Sequence, residues 1–184
     1  MTTRYFYDTE FIEDGHTIQL ISIGIVTDDG REFYAVNGDV NQDAIVNSQW
    51  LRENVWPSLP TRHVQYSRPR TSIEELDRGH PDVHSLAAIA FEVKEFLLAG
   101  ELDIELWADY AAYDHVVLCQ LWGPMVDLPP GIPMFTHDLQ AEARRRGREL
   151  PDQSSGAHNA LEDARHNLVK WKSLCELTTS PLVV

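Results

Sequence analysis

Residues 4–36 read RYFYDTEFIEDGHTIQLISIGIVTDDGREFYAV, three apolar runs parted by two short turn signals. The first run, Arg4 to Phe11, is rich in aromatics. The second, Thr17 to Thr27, carries Ile18, Leu20, Ile21, Ile23, Ile25 and Val26. Glu13-Asp14-Gly15 separates these two, and Asp28-Asp29-Gly30 separates the second from Arg31 to Val36. β-Branched and aromatic runs bounded by such turns fold as hairpins. The chain therefore opens on an antiparallel meander of three strands.

Outward from the meander the pattern changes. Residues 41–81 are broken by Pro57, Pro60, Pro69 and Pro81, which predicts short helices set in loops. One of these is expected from Ser72, because Ser72-Ile73-Glu74-Glu75 has the form of a capping box. Leu86, Ile89, Ala90, Val93, Phe96 and Leu97 then recur at helical spacing, predicting an amphipathic helix from Ser85 to Ala99, ended by Gly100. A strand over Asp103 to Ala108, a helix of about Ala112 to Trp122, a short strand near Met134 to Thr136 and a helix around Leu139 to Arg146 follow. A last helix runs from Ala160 to about Leu177. Antiparallel strands followed by alternating helices and strands imply an α/β fold, with one mixed five-stranded sheet flanked by helices. Residues 1–184 are read as one domain, its core spanning about 4–177.

Composition narrows the function classes. Fifteen Lys and Arg stand against 29 Asp and Glu, a net charge of −14, and 43% of residues are hydrophobic. That is the make-up of an ordinary globular domain, which excludes disorder and collagen-like structure. The longest apolar run, Leu20 to Val26, is far short of a bilayer span, and no membrane partner is expected. The start lacks the apolar core of a secretory signal, and two cysteines, Cys119 and Cys175, make no disulfide framework, so a cytoplasmic location is expected. Acidity lowers the expectation of a nucleic-acid partner, because phosphate backbones are gripped mainly by Lys and Arg. A site that gathers carboxylates around divalent cations escapes that argument, since the metal attracts the phosphate.

Three constellations of acids stand out. Asp8 and Glu10 lie two apart on the first strand, so they project from the same face. Asn159-Ala160-Leu161-Glu162 has capping-box form, which puts His158 just before the cap and Asp163 at the fourth helical position, two places that touch at a helix start. His158 follows the small residues Ser154-Ser155-Gly156-Ala157, where it is expected to swing. Ala108-Asp109-Tyr110-Ala111-Ala112-Tyr113-Asp114 turns from strand to helix and places Asp114 on the first helical turn near the sheet end. Each acid also has an ordinary structural explanation, as a solvated strand acid or a carboxylate favoured by the helix dipole.

Taken in order, Asp8-x-Glu10, Tyr113-Asp114 and His158-x-x-x-x-Asp163 resemble the three motifs of the DEDDh 3′-to-5′ exonucleases, a group that includes proofreading exonucleases, ribonuclease T and oligoribonuclease. Leu20-Ile21-Ser22-Ile23-Gly24 is similar to that family's second strand, and the chain looks closest to its small actinobacterial exoribonucleases. The resemblance spans Asp8 to Asp163. It implies a ribonuclease-H-like fold and an exonuclease acting at the 3′-hydroxyl end of single-stranded RNA, or DNA, to release nucleoside 5′-monophosphates. Asp8, Glu10, Asp114 and Asp163 would hold two Mg²⁺ ions, replaceable by Mn²⁺. The donors suit those hard cations, and the lack of a Cys/His cluster argues against zinc. His158 would act as general base. The family commonly has Asn where this chain has Asp109, which leaves Asp109 either a structural replacement or an extra acid beside the metal site. A homodimer is also implied.

Substrate grip is less legible. Thr9, Phe11, Asp109 and His158 are candidate substrate contacts; Phe11 either stacks on a base or joins the core. Arg62, His63, Arg68 and Arg70, or Arg144, Arg145, Arg146 and Arg148, are candidate phosphate contacts, the second set equally a solvated helix end. The five tryptophans are scattered, and core or subunit packing is their default. Two other classes remain open: a non-catalytic binding module of the same fold, and an acidic interaction protein whose four carboxylates lie far apart.

Overall fold

A computed structural model describes residues 2–67, 70–100 and 103–176. Strand β1 (Thr2–Glu13) is an inner strand of a six-stranded mixed sheet. On one side it pairs antiparallel with β2 (Ile18–Thr27), which pairs antiparallel with β3 (Glu32–Asn37). These are the three strands of the expected meander. The loop after β3 carries α1 (Gln42–Asn47), α2 (Gln49–Asn54) and a 3₁₀ turn over Trp56–Ser58.

The chain departs from expectation at Ser72. Residues there form no helix but a hairpin of β4 (Thr61–Ser67) and β5 (Arg70–Leu76), a separate two-stranded sheet. The carboxylates needed for a capping box are taken across the hairpin. Glu74 accepts from the Thr61 hydroxyl at 2.6 Å and from the Trp56 indole at 3.3 Å, and Glu75 from the Tyr66 hydroxyl. The main sheet has six strands where five were expected. The additional one, β6 (Val83–His84), pairs with Val36 and Asn37 and is too short to show a periodicity.

Helix α3 (Leu86–Leu98) leads to β7 (Asp103–Ala108), which runs parallel to β1. Helix α4 (Ala112–Gln120) ends two residues before the expected Trp122. The short strand after it pairs through His137 and Asp138 as β8, not through Met134 to Thr136, and Met134 and Phe135 are exposed. Helix α5 (Leu139–Arg146) and helix α6 (Ala160–Cys175) are the last elements among the described residues, and the expected end of the last helix at Leu177 lies outside them.

Alternation along β1 divides the layers. Tyr5 and Tyr7 pack with Ile89, Val93 and Leu97 of α3 and with Val117 and Leu118 of α4. Phe6, on the opposite face, packs with Leu139 of α5 and Leu174 of α6. Two features set the site. Gly24, register partner of Asp8, lies against the first turn of α6, where an added Cβ would sit 2.3 Å from the Ala160 carbonyl oxygen. A hydrogen side chain there lets the helix rest directly on the sheet. Secondly, the β1–β7 ladder stops at Phe6–Trp107, while β1 continues to Glu13 and the other chain turns away into α4. The sheet splits along that edge.

Candidate active site

The split is lined by residues from both faces of the sheet. Asp8 and Glu10 share the α6 side of β1, and the first turn of α6 brings Asp163 to them. One carboxylate oxygen from each of the three lies within 4.8 Å of the others. Asp114, in the first turn of α4, approaches from the opposite face and reaches round the unpaired edge of β1. Its Oδ1 accepts the Thr9 backbone N–H at 2.9 Å and the Thr9 hydroxyl at 2.6 Å. A carboxylate thus takes the bond that a neighbouring strand would have made. All four acids line one cleft of about 340 Å³.

Crowding shows in their protonation. Burial, then the charges of Asp114, Glu10 and Asp163, push the Asp8 carboxyl well above the usual range. Burial followed by Asp163 and Asp114 pushes Glu10 up to about 8. Asp114 is raised by burial to about 6 even though both Thr9 hydrogen bonds favour its charged form. Burial raises Asp163 as well, against hydrogen bonds from Gln153 and the His158 N–H. Like charges held together in a poorly solvated cleft give up protons reluctantly unless a cation joins them. Lys170, seven residues after Asp163 and on the same helical face, also lines the cleft, but it is paired with Asp109, and both side chains are largely buried. The other Asp109 oxygen is buried without a hydrogen-bond partner among the described residues. Asp109 is thus paired with a lysine, whereas the donors to Asp114 among the described residues are the neutral groups of Thr9.

His158 stands where the cap assignment puts it. Asn159 caps α6, accepting from the Leu161 and Glu162 N–H groups. The reciprocal half of the capping box is not made, because Glu162 pairs with Arg165, which bridges to Glu32. The His158 N–H donates to Asp163 Oδ2 at 2.8 Å, and its Nδ1 lies 3.9 Å from Glu10 Oε1. Its φ of 65° is left-handed, as is the 55° of Tyr110, and these are the non-glycine residues with positive φ among those described. Both line the cleft. Such conformations cost on the order of 1–3 kcal/mol and persist where surroundings over-determine them. The expected swinging loop is therefore, at His158, a backbone tied down at its N–H.

Of the candidate contacts, Phe11 is half-buried and stacks on Tyr113, centroids 5.9 Å apart and planes 11° from parallel. Thr9 is buried with its hydroxyl committed to Asp114. Arg62, His63, Arg144, Arg145, Arg146 and Arg148 do not line this cleft, but Arg144 and Arg148 line an adjoining cavity of about 540 Å³ that shares Asp109, Gln153 and Lys170 with it. Arg62 faces Asp77 at 3.7 Å, Arg68 lies outside the described residues, Arg145 and Arg146 pair with Glu142, and Arg148 donates to the carbonyls of Leu174 and Glu176. Trp56 and Trp107 are buried, but Trp50 is 53% exposed and lines the cleft beside His158. Trp50, Tyr110, Gln153, Asn167 and Lys170 are cleft residues that the sequence reading missed. Only Asn167 and Lys170 carried a signal, their helical spacing from Asp163.

Comparison with known proteins bears on the family. The family model described as the Rv2179c-like 3′-5′ exoribonuclease domain matches residues 3–175. Two curated relatives from Mycobacterium tuberculosis, 3′-5′ exoribonuclease Rv2179c of strain H37Rv and 3′-5′ exoribonuclease MT2234.1 of strain CDC 1551, are each 45% identical over 171 residues, covering 92% of this chain and 91% of the relative. With model and relatives both running nearly end to end, the chain belongs to the Rv2179c-like 3′-5′ exoribonuclease family.

Proposed function

We propose that the chain is a metal-dependent exonuclease that removes nucleoside 5′-monophosphates from the 3′-hydroxyl end of single-stranded RNA. The observation that carries this is the convergence of Asp8, Glu10 and Asp163 within 4.8 Å, with Asp114 lining the same cleft. Four carboxylates facing one space with no free cationic side chain among the described residues make a donor set for hard divalent ions, Mg²⁺ or Mn²⁺. Two such ions, when bound, neutralise charge on the phosphodiester and activate a water. Asp8, Glu10, Asp163 and Asp114 would hold them. His158, beside Glu10 and open to the cleft, takes the proton of the attacking water on its ring nitrogen. The stacked Phe11–Tyr113 pair offers an aromatic wall to a terminal base, and base–aromatic stacking contributes about 1–3 kcal/mol per base. The strand order β3-β2-β1-β7-β8 supports a ribonuclease-H-like fold. A homodimer, supported by the exposed apolar side chains Val116, Met125, Val126, Met134 and Phe135 on and after α4, and a cytoplasmic location complete the proposal.

The test is incubation of 5′-labelled RNA and DNA of one sequence with Mg²⁺ and, separately, Mn²⁺, beside Asp114→Ala and His158→Ala. A ladder shortening from the 3′ end on RNA, lost with chelator and in both variants, supports the proposal. Undegraded RNA under every condition refutes it, and equal shortening of DNA removes the RNA preference. Light scattering at micromolar concentration reads the dimer.

A further inference from the structure

His158 is held from a direction that neither the acids nor α6 supplies. Its carbonyl oxygen lies 2.8 Å from the Ser58 hydroxyl, which stands an equal 2.8 Å from the Val55 carbonyl and shares its one proton between them. Its ring meets the Trp50 indole edge to face, centroids 4.8 Å apart and planes 78° from parallel. Trp50 and Ser58 belong to one short stretch, α2 and the 3₁₀ turn, whose other side is packed into the core through Leu51, Val55, Trp56 and Leu59. The stretch is thus anchored in the core on the side away from the histidine.

We propose that Ser58 and Trp50 are positioning residues for His158, fixing both the left-handed backbone and the ring plane of the base. The inference rests on the reading of His158 as general base. The N–H is tied to Asp163, the carbonyl to Ser58, and the ring is stopped by Trp50, so three contacts on three sides define the side chain's starting point. Removing Ser58 leaves the carbonyl free to turn and the strained φ with one restraint fewer. Displacements near 1 Å of a catalytic group cost roughly a hundredfold in rate.

The experiment compares kcat and KM for RNA shortening in Ser58→Ala, Ser58→Thr and Trp50→Phe, each made also in a His158→Ala background. It also compares the His158 ring resonances of the same single variants in metal-free protein. Ser58→Ala is expected to lower kcat about tenfold to a hundredfold with KM little changed, Ser58→Thr to restore it, and Ser58→Ala to cost nothing further once His158 is gone. The His158 ring resonances move in Ser58→Ala and Trp50→Phe and return in Ser58→Thr. Equal losses with and without His158, or full kcat and unmoved resonances in Ser58→Ala, overturn the proposal. If His158→Ala alone keeps full activity, it is the general-base reading that fails, and the resonances still decide whether Ser58 and Trp50 hold the ring.

Discussion

Gly24→Ala is the substitution that the geometry constrains most tightly. The new Cβ would lie 2.3 Å from the Ala160 oxygen and 2.4 Å from Leu161 Cα, both backbone atoms, whereas ordinary contact begins at 3.4 Å. The difference, 3.4 − 2.3, requires α6 and β2 to separate by 1.1 Å. No side-chain rotation relieves a clash with backbone, so the first turn of α6 must shift, and it carries Asp163 and the loop of His158 with it. Overpacking of this kind costs about 1–3 kcal/mol. For a chain of this size each kcal/mol lowers Tm by roughly 2–4 °C. Misplacing Asp163 against Asp8 and Glu10 by about 1 Å costs on the order of a hundredfold in kcat. The assay is initial-rate shortening of labelled RNA at saturating Mg²⁺, beside a thermal melt of the same preparation. A folded Gly24→Ala protein with kcat within about twofold of wild type would refute the reasoning, because the seat of α6 on β2 would then not set the position of Asp163.

Further outcomes follow from the acids and their neighbours. Glu10 is held near pH 8 in the folded protein against 4.5 ordinarily, so the folded state binds the extra proton. Stability of metal-free protein is therefore greatest below pH 4.5 as far as this group is concerned and falls as pH rises through 8. A melt series should show this fall, with added Mg²⁺ recovering more at pH 8 than at pH 5; a flat profile with no recovery contradicts it. Thr9→Val keeps the side-chain shape but removes the hydroxyl bond to Asp114, and urea unfolding should register a loss of roughly 1.5–3 kcal/mol. Lys170→Met leaves Asp109 buried without its cation, which costs about 3–5 kcal/mol. Adding Asp109→Asn should recover part of that loss in the same urea assay, and strict additivity would show that the pair does not interact.

The parts of this molecule that were legible in the sequence are those whose geometry is local. Asp8 and Glu10 share a face because strand side chains alternate. His158 and Asp163 meet because a capped helix start brings its flanking residues together, and the hydrogen bond between them is made at 2.8 Å. The meander was written in its Asp-Gly turns. The hairpin of β4 and β5 was misread because Ser72-Ile73-Glu74-Glu75 satisfies a helix-start pattern, while the cross-strand partners that claim both glutamates lie at Thr61 and Tyr66. Trp50 and Ser58 were missed for a related reason. Neither sits in a periodic segment, and their contact with His158 spans about a hundred residues of chain, a distance over which no spacing rule operates. Asn167 and Lys170 were within reach, being one and two turns from Asp163 on the same helical face.

The place where β1 outruns β7 has a consequence for how the protein keeps to itself. An unpaired strand edge is a template on which a foreign strand can add. Here the donor at Thr9 is occupied by the Asp114 carboxylate, and the edge is screened by the first turn of α4. The same acid that completes the cleft thus plugs the seam against strand addition. Replacing it opens the seam and removes the charge together, so a colony of aggregates, and not only a silent enzyme, is the expected fate of Asp114→Ala protein held at high concentration.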